Sequence, residues 1–207
     1  MSAKLGSDVA ILMGSKSDLD IMKPAADTCR RLGLTVDVRV LSAHRTPEHT
    51  ATYVRDTAQA GTKVFICGAG GAAHLAGSVA AHTTRPVIGV PIASGSLQGM
   101  DALLSTAMMP PGIPVATVAI SGAENAGLLA AQIIALGNPE LAKAVSTERE
   151  ARLRKVLEAD EEVRAKWYTS PPRLQPLPPA KWWPTRPKRS MAWRSTPTTR
   201  MRVPGWP

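Results

Sequence analysis

The chain alternates short apolar runs with segments of helical spacing. Val9–Met13 is an uninterrupted apolar stretch ended by "GSKSD", and it predicts a buried strand. Asp18 then stands where a helix N-cap is expected. Leu19, Met22, Ala26 and Cys29 recur at helical spacing until Gly33, a natural helix stop. A second strand is predicted over 35–41, and Pro47 suits the first turn of a helix running to about residue 60, since its missing N–H costs nothing there. The pattern repeats: strand 63–67, helix 74–83, strand 87–90, helix 101–108, strand 115–120 and helix 124–136. A long helix of mixed charge is expected over 139–166.

Five short strands, each followed by a helix, imply an α/β fold with a parallel sheet covered on both faces. Right-handed crossovers bring the strand C-termini to one edge, and ligands bind outside that edge. The loops to inspect are therefore "GSKSD", "SAHR" and "GAGGAAH", after the first three strands.

Charge divides the chain. Residues 1–162 hold 15 Lys/Arg and 16 Asp/Glu, a net of −1, while 163–207 hold 10 Lys/Arg and no acid. All five Trp (167, 182, 183, 193, 206) and 10 of the 18 Pro also fall in that last segment. We expect an α/β domain with a C-terminal helix over 1–168 and a basic, disordered tail over 169–207. Tryptophan interleaved with cations could stack on single-stranded nucleic acid, but nucleic acid is not the expected partner. Cys29 and Cys67 lack metal-ligand spacing and are expected as reduced core thiols. The N-terminus has no signal-peptide pattern and no apolar run reaches membrane-spanning length, so the expected location is cytoplasmic.

Each loop then has a chemistry. "GSKSD" offers Gly14, Ser15, Ser17 and Asp18 at the start of a helix, where free N–H groups favour an anion; Asp18 serves either the ligand or the cap. It is not a P-loop. "GAGGAAH" satisfies G-x-G-x-x-G/A through Gly68, Gly70 and Ala73. The dinucleotide reading nevertheless fails, because no Asp or Glu lies between Asp56 and Asp101 to hold a ribose. Gly70 and Gly71 instead allow close backbone approach to a ligand. Of four histidines, His49 and His82 are expected inside helices with structural or solvated roles. His74 either touches ligand or orders its loop, and His44 sits at a strand C-terminus. No cluster has metal spacing, and no nucleophile elbow surrounds the serines.

Taken together, "ILMGSKSD", "VLSAHRTPE", "GAGGAAHLAG" and "MPPGIPVATVAI", in this order, closely resemble the N5-carboxyaminoimidazole ribonucleotide mutase family of purine biosynthesis, the catalytic subunit of phosphoribosylaminoimidazole carboxylase. The resemblance covers about residues 8–145. Arginine after the histidine in "SAHR" matches the class I mutases; class II enzymes, which use free CO2, typically carry lysine there. The resemblance implies a flavodoxin-like three-layer α/β/α sandwich of strand order 2-1-3-4-5, assembled as an octamer. It implies transfer of a carboxylate from N5 to C4 of the aminoimidazole ring, without cofactor, on substrate made by an ATP-dependent synthetase. His44 would shuttle the proton, Ser15 and Asp18 would bind the ribonucleotide, and Arg45 its phosphate. Gly14, Ser17, Ser42, Ala43, Gly70, Gly71, Ala72 and His74 complete the expected substrate contacts. An imidazole, with an ordinary pKa of about 6.5, can give and take protons near neutrality. The sequence departs from the family at Ala76, where proline is usual. A direct, CO2-using carboxylase is the alternative, and a non-catalytic nucleotide or nucleic-acid binder the more remote one.

Overall fold

In β1 (Val9–Met13) every side chain is buried, but alternate residues go to different places. A computed structural model, which describes residues 6–167, sends Val9, Ile11 and Met13 into one core and Ala10 and Leu12 into another. β3 (Val64–Gly70) divides in the same way, with Val64 and Ile66 on the first side and Phe65 and Cys67 on the second. A two-residue period with both faces buried makes a strand read as continuously apolar. The expected tail, 169–207, lies outside the described residues.

The sheet runs β2-β1-β3-β4-β5, all parallel, with β2 (Val36–Val40), β4 (Val87–Ile92) and β5 (Ala116–Thr117). α1 (Leu19–Arg31) and α5 (Ala123–Ala135) cover one face. α2 (Pro47–Gln59) and α3 (Leu75–Ala80) cover the other. This is the expected flavodoxin-like sandwich and strand order. α4 is Met100–Ala107, and α6 runs from Pro139 to Trp167.

α1 and α5 meet closely because their facing residues are small. Ala25, Ala26, Ala126 and Ala130 are buried, and a Cβ on Gly127 would stand 2.8 Å from the Ala25 carbonyl oxygen. The Cys29 thiol donates to Gly127 O at 3.8 Å. Burial pushes that thiol up to about 11 and pushes Cys67 up further still, so both are inert core residues, as expected.

Four boundaries differ from expectation, the first being β4, which runs two residues past Val90, through Pro91 to Ile92. β3 continues through the glycines to Gly70, which pairs with Ile92 of β4. Glycine is a poor strand former, yet Gly68 suits this place: a Cβ there would collide with Met22 of α1. β5 is two residues instead of six. Gly89 O accepts from Val118 N, but the next β4 residue facing β5 is Pro91, which has no N–H to offer. The ladder breaks, and Ser121, at φ 56°, reaches Pro91 O instead. α3 ends at Ala80, so His82 lies in the following turn and not in a helix; its Nδ1 is 2.7 Å from Ser78 O.

Candidate active site

The chain leaves β1 at Gly14 and tightens into a 3₁₀ turn over Lys16–Asp18. Ser15 Oγ accepts from Ser17 N at 3.3 Å, and Asp18 Oδ2 accepts from Ser15 N at 3.0 Å. This reciprocal arrangement is a capping box. Asp18 therefore does not cap α1 with its side chain, as its position suggested. It holds the loop before the helix.

After β2, Ser42 and Thr46 knot the second loop. Ser42 N donates to Thr46 Oγ1 at 2.9 Å, Thr46 N donates back to Ser42 O at 3.0 Å, and Pro47 takes the first helical position. The knot projects Ala43, His44 and Arg45 from the sheet edge. Arg45 N and Nε donate to Ser42 Oγ at 3.2 and 3.5 Å, and Arg45 NH2 donates to Gly14 O at 2.6 Å. The guanidinium thus ties the second loop to the first. Its five N–H donors outnumber these acceptors, which leaves donors for an anion.

The third loop turns at Gly71, at φ 60°, a conformation that favours glycine. Gly70 must also be small, since a Cβ there would overlap Ser94 Oγ. His74 follows at the α3 N-cap position without a side-chain capping bond. Its ring is directed at the second loop: His74 Nδ1 lies 2.8 Å from His44 Nε2, with the two rings nearly perpendicular at 78°. One proton can sit on that line and exchange between the nitrogens; two cannot.

These loops enclose a cleft of about 540 Å³ lined by Gly14, Ser15, Ser17, Asp18, Ser42, Ala43, His44, Arg45, Gly70, Ala72 and His74, together with Ala69, Leu75 and Ser94. All of the expected contacts line it except Gly71, which makes the turn behind it. Ser94 escaped the sequence reading because that reading stopped at three loops. The Gly/Ser-rich stretch after β4, at the same sheet edge, was the signal. Among the described residues, no group of three His, Cys, Asp or Glu could hold a metal ion. A larger cleft of about 1080 Å³ opens around His82–Val87, and none of these loops lines it.

Residues 8–155 match the protein family described as AIR carboxylase. The chain belongs to the AIR carboxylase family. Over 150 residues it is 49% identical to the N5-carboxyaminoimidazole ribonucleotide mutase of Thermotoga maritima, covering 72% of this chain and 88% of that one. It is also 49% identical to the mutase of the same name from Bacillus subtilis over 157 residues, 75% of this chain and 97% of that one. The crystal structure of Treponema denticola PurE superimposes with a TM-score of 0.70 at 34% identity, covering 75% of this chain and 98% of that one. Ala76 is the second residue of α3 and is buried.

Proposed function

We propose that this chain is an N5-carboxyaminoimidazole ribonucleotide mutase of purine biosynthesis, acting at the cleft around His44. The observation that carries this reading is the His44–His74 contact of 2.8 Å beside Arg45, in a cleft with small-residue walls.

The chemistry is an isomerisation. The bond from N5 to its carboxylate breaks as CO2 forms, and the electron pair stays on nitrogen, which takes a proton. C4 attacks the CO2 and a carbon–carbon bond forms. The C4 proton then leaves and the ring regains aromaticity. One proton is gained and one is lost, so a single imidazole, His44, can supply the first and collect the second. Arg45 offers a permanent charge and a planar fork to the ribonucleotide phosphate. Ser15 and Asp18, joined in a capping box at the cleft, bind the ribonucleotide on this reading. Gly70 and Ala72 allow a flat ring to lie against the wall. Confinement keeps the CO2 beside C4 until it reacts.

His44 is exposed in the single chain, so confinement needs a cover. The octameric assembly supplies it on this reading. Leu97, Met100, Leu104 and Met108, exposed on α4 and on the segments that flank it, support self-association. We read the enzyme as cytoplasmic and functionally linked to the ATP-dependent synthetase that makes its substrate. Among the described residues, no helix is long and apolar enough to cross a membrane.

The test is turnover from two starting points. N5-carboxyaminoimidazole ribonucleotide at low bicarbonate should give the C4-carboxylated product. Product only from aminoimidazole ribonucleotide plus bicarbonate would make the chain a direct carboxylase, and product from neither would make it a binder. A chain lacking 169–207 should keep its turnover; loss would tie that segment to the site.

A further inference from the structure

We infer that Ser105, on α4 and outside the cleft, is a positioning residue for the His44–His74 pair. The inference rests on the cleft being the site of carboxylate transfer.

The loop from Gly71 to His74 has few holds of its own. His74 N donates to Ala72 O at 2.9 Å, a bond internal to the loop. Ala73 is buried, and its N–H needs an acceptor. Ser105 Oγ provides it at 3.1 Å, across 32 residues of sequence. The same hydroxyl donates its one proton to Asp101 O, a turn earlier in α4, at 2.7 Å. With its proton committed to the helix, its lone pair faces the loop. Gly71 O lies 3.4 Å from the same oxygen. Ser105 thus joins α4 to the residue directly before His74.

That placement matters because nothing in the cap holds the His74 ring. The ring's bearing on His44 follows from the backbone that carries it. A displaced Ala73 would carry His74 away from His44 and change where the shared proton resides. Arg45, Gly14 and the Ser15–Asp18 box hang from other strands and would be untouched. Loss of the Ser105 hydroxyl should therefore lower turnover and spare binding.

Thr106 is the internal control. It is buried one residue further along α4, and its hydroxyl donates to Ala102 O at 2.7 Å in the same back-bonded geometry, a bond that stays within the helix. Thr106→Val removes a hydroxyl from the same helix without touching Ala73.

The experiment compares the full-length chain with Ser105→Ala, Ser105→Thr and Thr106→Val. In Ser105→Ala, kcat should fall by about 10- to 100-fold, the scale of a small misplacement, with KM nearly constant and the pH–rate profile displaced. Ser105→Thr, which keeps the oxygen, should restore most of the rate and the profile. Long-range proton–nitrogen NMR of the histidine rings should show the His44–His74 proton perturbed in Ser105→Ala and intact in Thr106→Val. A kcat for Ser105→Ala within about two-fold of the original, or an equal fall in Thr106→Val, overturns the inference. A chain without turnover on N5-carboxyaminoimidazole ribonucleotide would end the mutase reading. The NMR comparison would then decide the Ser105–Ala73 link alone, and unchanged ring signals in Ser105→Ala would overturn it.

Discussion

The two ends of the sheet each carry a knot of polar side chains, and the knots differ in what they leave over. At the N-terminal end, Asp8 accepts from Lys63 Nζ at 2.9 Å, from Thr35 N at 3.0 Å and from Thr35 Oγ1 at 2.7 Å. Both carboxylate oxygens are engaged, and the knot only ties β1, β2 and β3 together. At the C-terminal end, Arg45 ties the second loop to the first and the His44–His74 pair ties it to the third, yet these groups retain donors and acceptors that face the cleft. A polar cluster that satisfies itself is structural; one with unspent capacity at a ligand edge is equipped to act.

Substitution should separate the two ends cleanly. The largest effect belongs to His44→Asn, which keeps a polar side chain but cannot cycle a proton. Turnover should drop by about 10²–10⁴, the usual range for a positioned acid–base, with ribonucleotide binding retained by calorimetry. Near-normal turnover would remove His44 from the chemistry. Arg45→Ala should come next. It deletes charge-assisted hydrogen bonds of about 1.5–3 kcal/mol, so it should raise KM more than it lowers kcat. Unchanged substrate affinity would sink the phosphate role.

The opposite knot should show the reverse profile. Partial burial pushes the Asp8 carboxyl up, but hydrogen bonds from Lys63 and Thr35 outweigh it and hold the group at about 2, below its ordinary 3.8. A lowered carboxyl stabilises the fold fully above its unfolded value, and that contribution disappears as pH falls from about 4 towards 2. Asp8→Asn should cost about 1 kcal/mol at neutral pH and flatten the acid limb of the stability curve between those values. Its kcat should match that of the original chain. An Asp8→Asn variant that unfolds in acid along the same curve would disprove the linkage.

How much of this was legible before the structure depended on sequence distance. β1, the Pro47 start of α2 and the alternation of strand and helix are local, and their patterns predicted them within a residue or two. The ligand edge followed from chain direction alone, and the four motifs assigned the strand order and chemistry. What escaped is non-local. Strand pairing with β4 rescued the glycines of β3 from being loop, and Pro91 in β4 cut β5 short. Ser94 lies in a Gly/Ser-rich loop and Ser105 in an unremarkable stretch of helix, and their particular partners, Gly70 and Ala73, are set across the fold. The role of Asp18 turned on a tight turn that the helical pattern concealed.

The smallest effect lies between the two ends, at Ala76. It is the second residue of α3, where the amide has no intrahelical acceptor, so proline would sacrifice no helix bond. Proline there would narrow the unfolded ensemble and stiffen the turn that presents His74. Ala76→Pro should stabilise the fold by about 0.4–1 kcal/mol, visible as a modest rise in Tm. The site is crowded: Ala76 is buried, and its Cβ lies 3.5 Å from where a Cβ on Gly89 would stand. A fall in Tm would mean that the ring does not fit against β4. Alanine would then be the residue this core requires. A rise in Tm with unchanged turnover would show that the His74 turn is already ordered for catalysis without the proline.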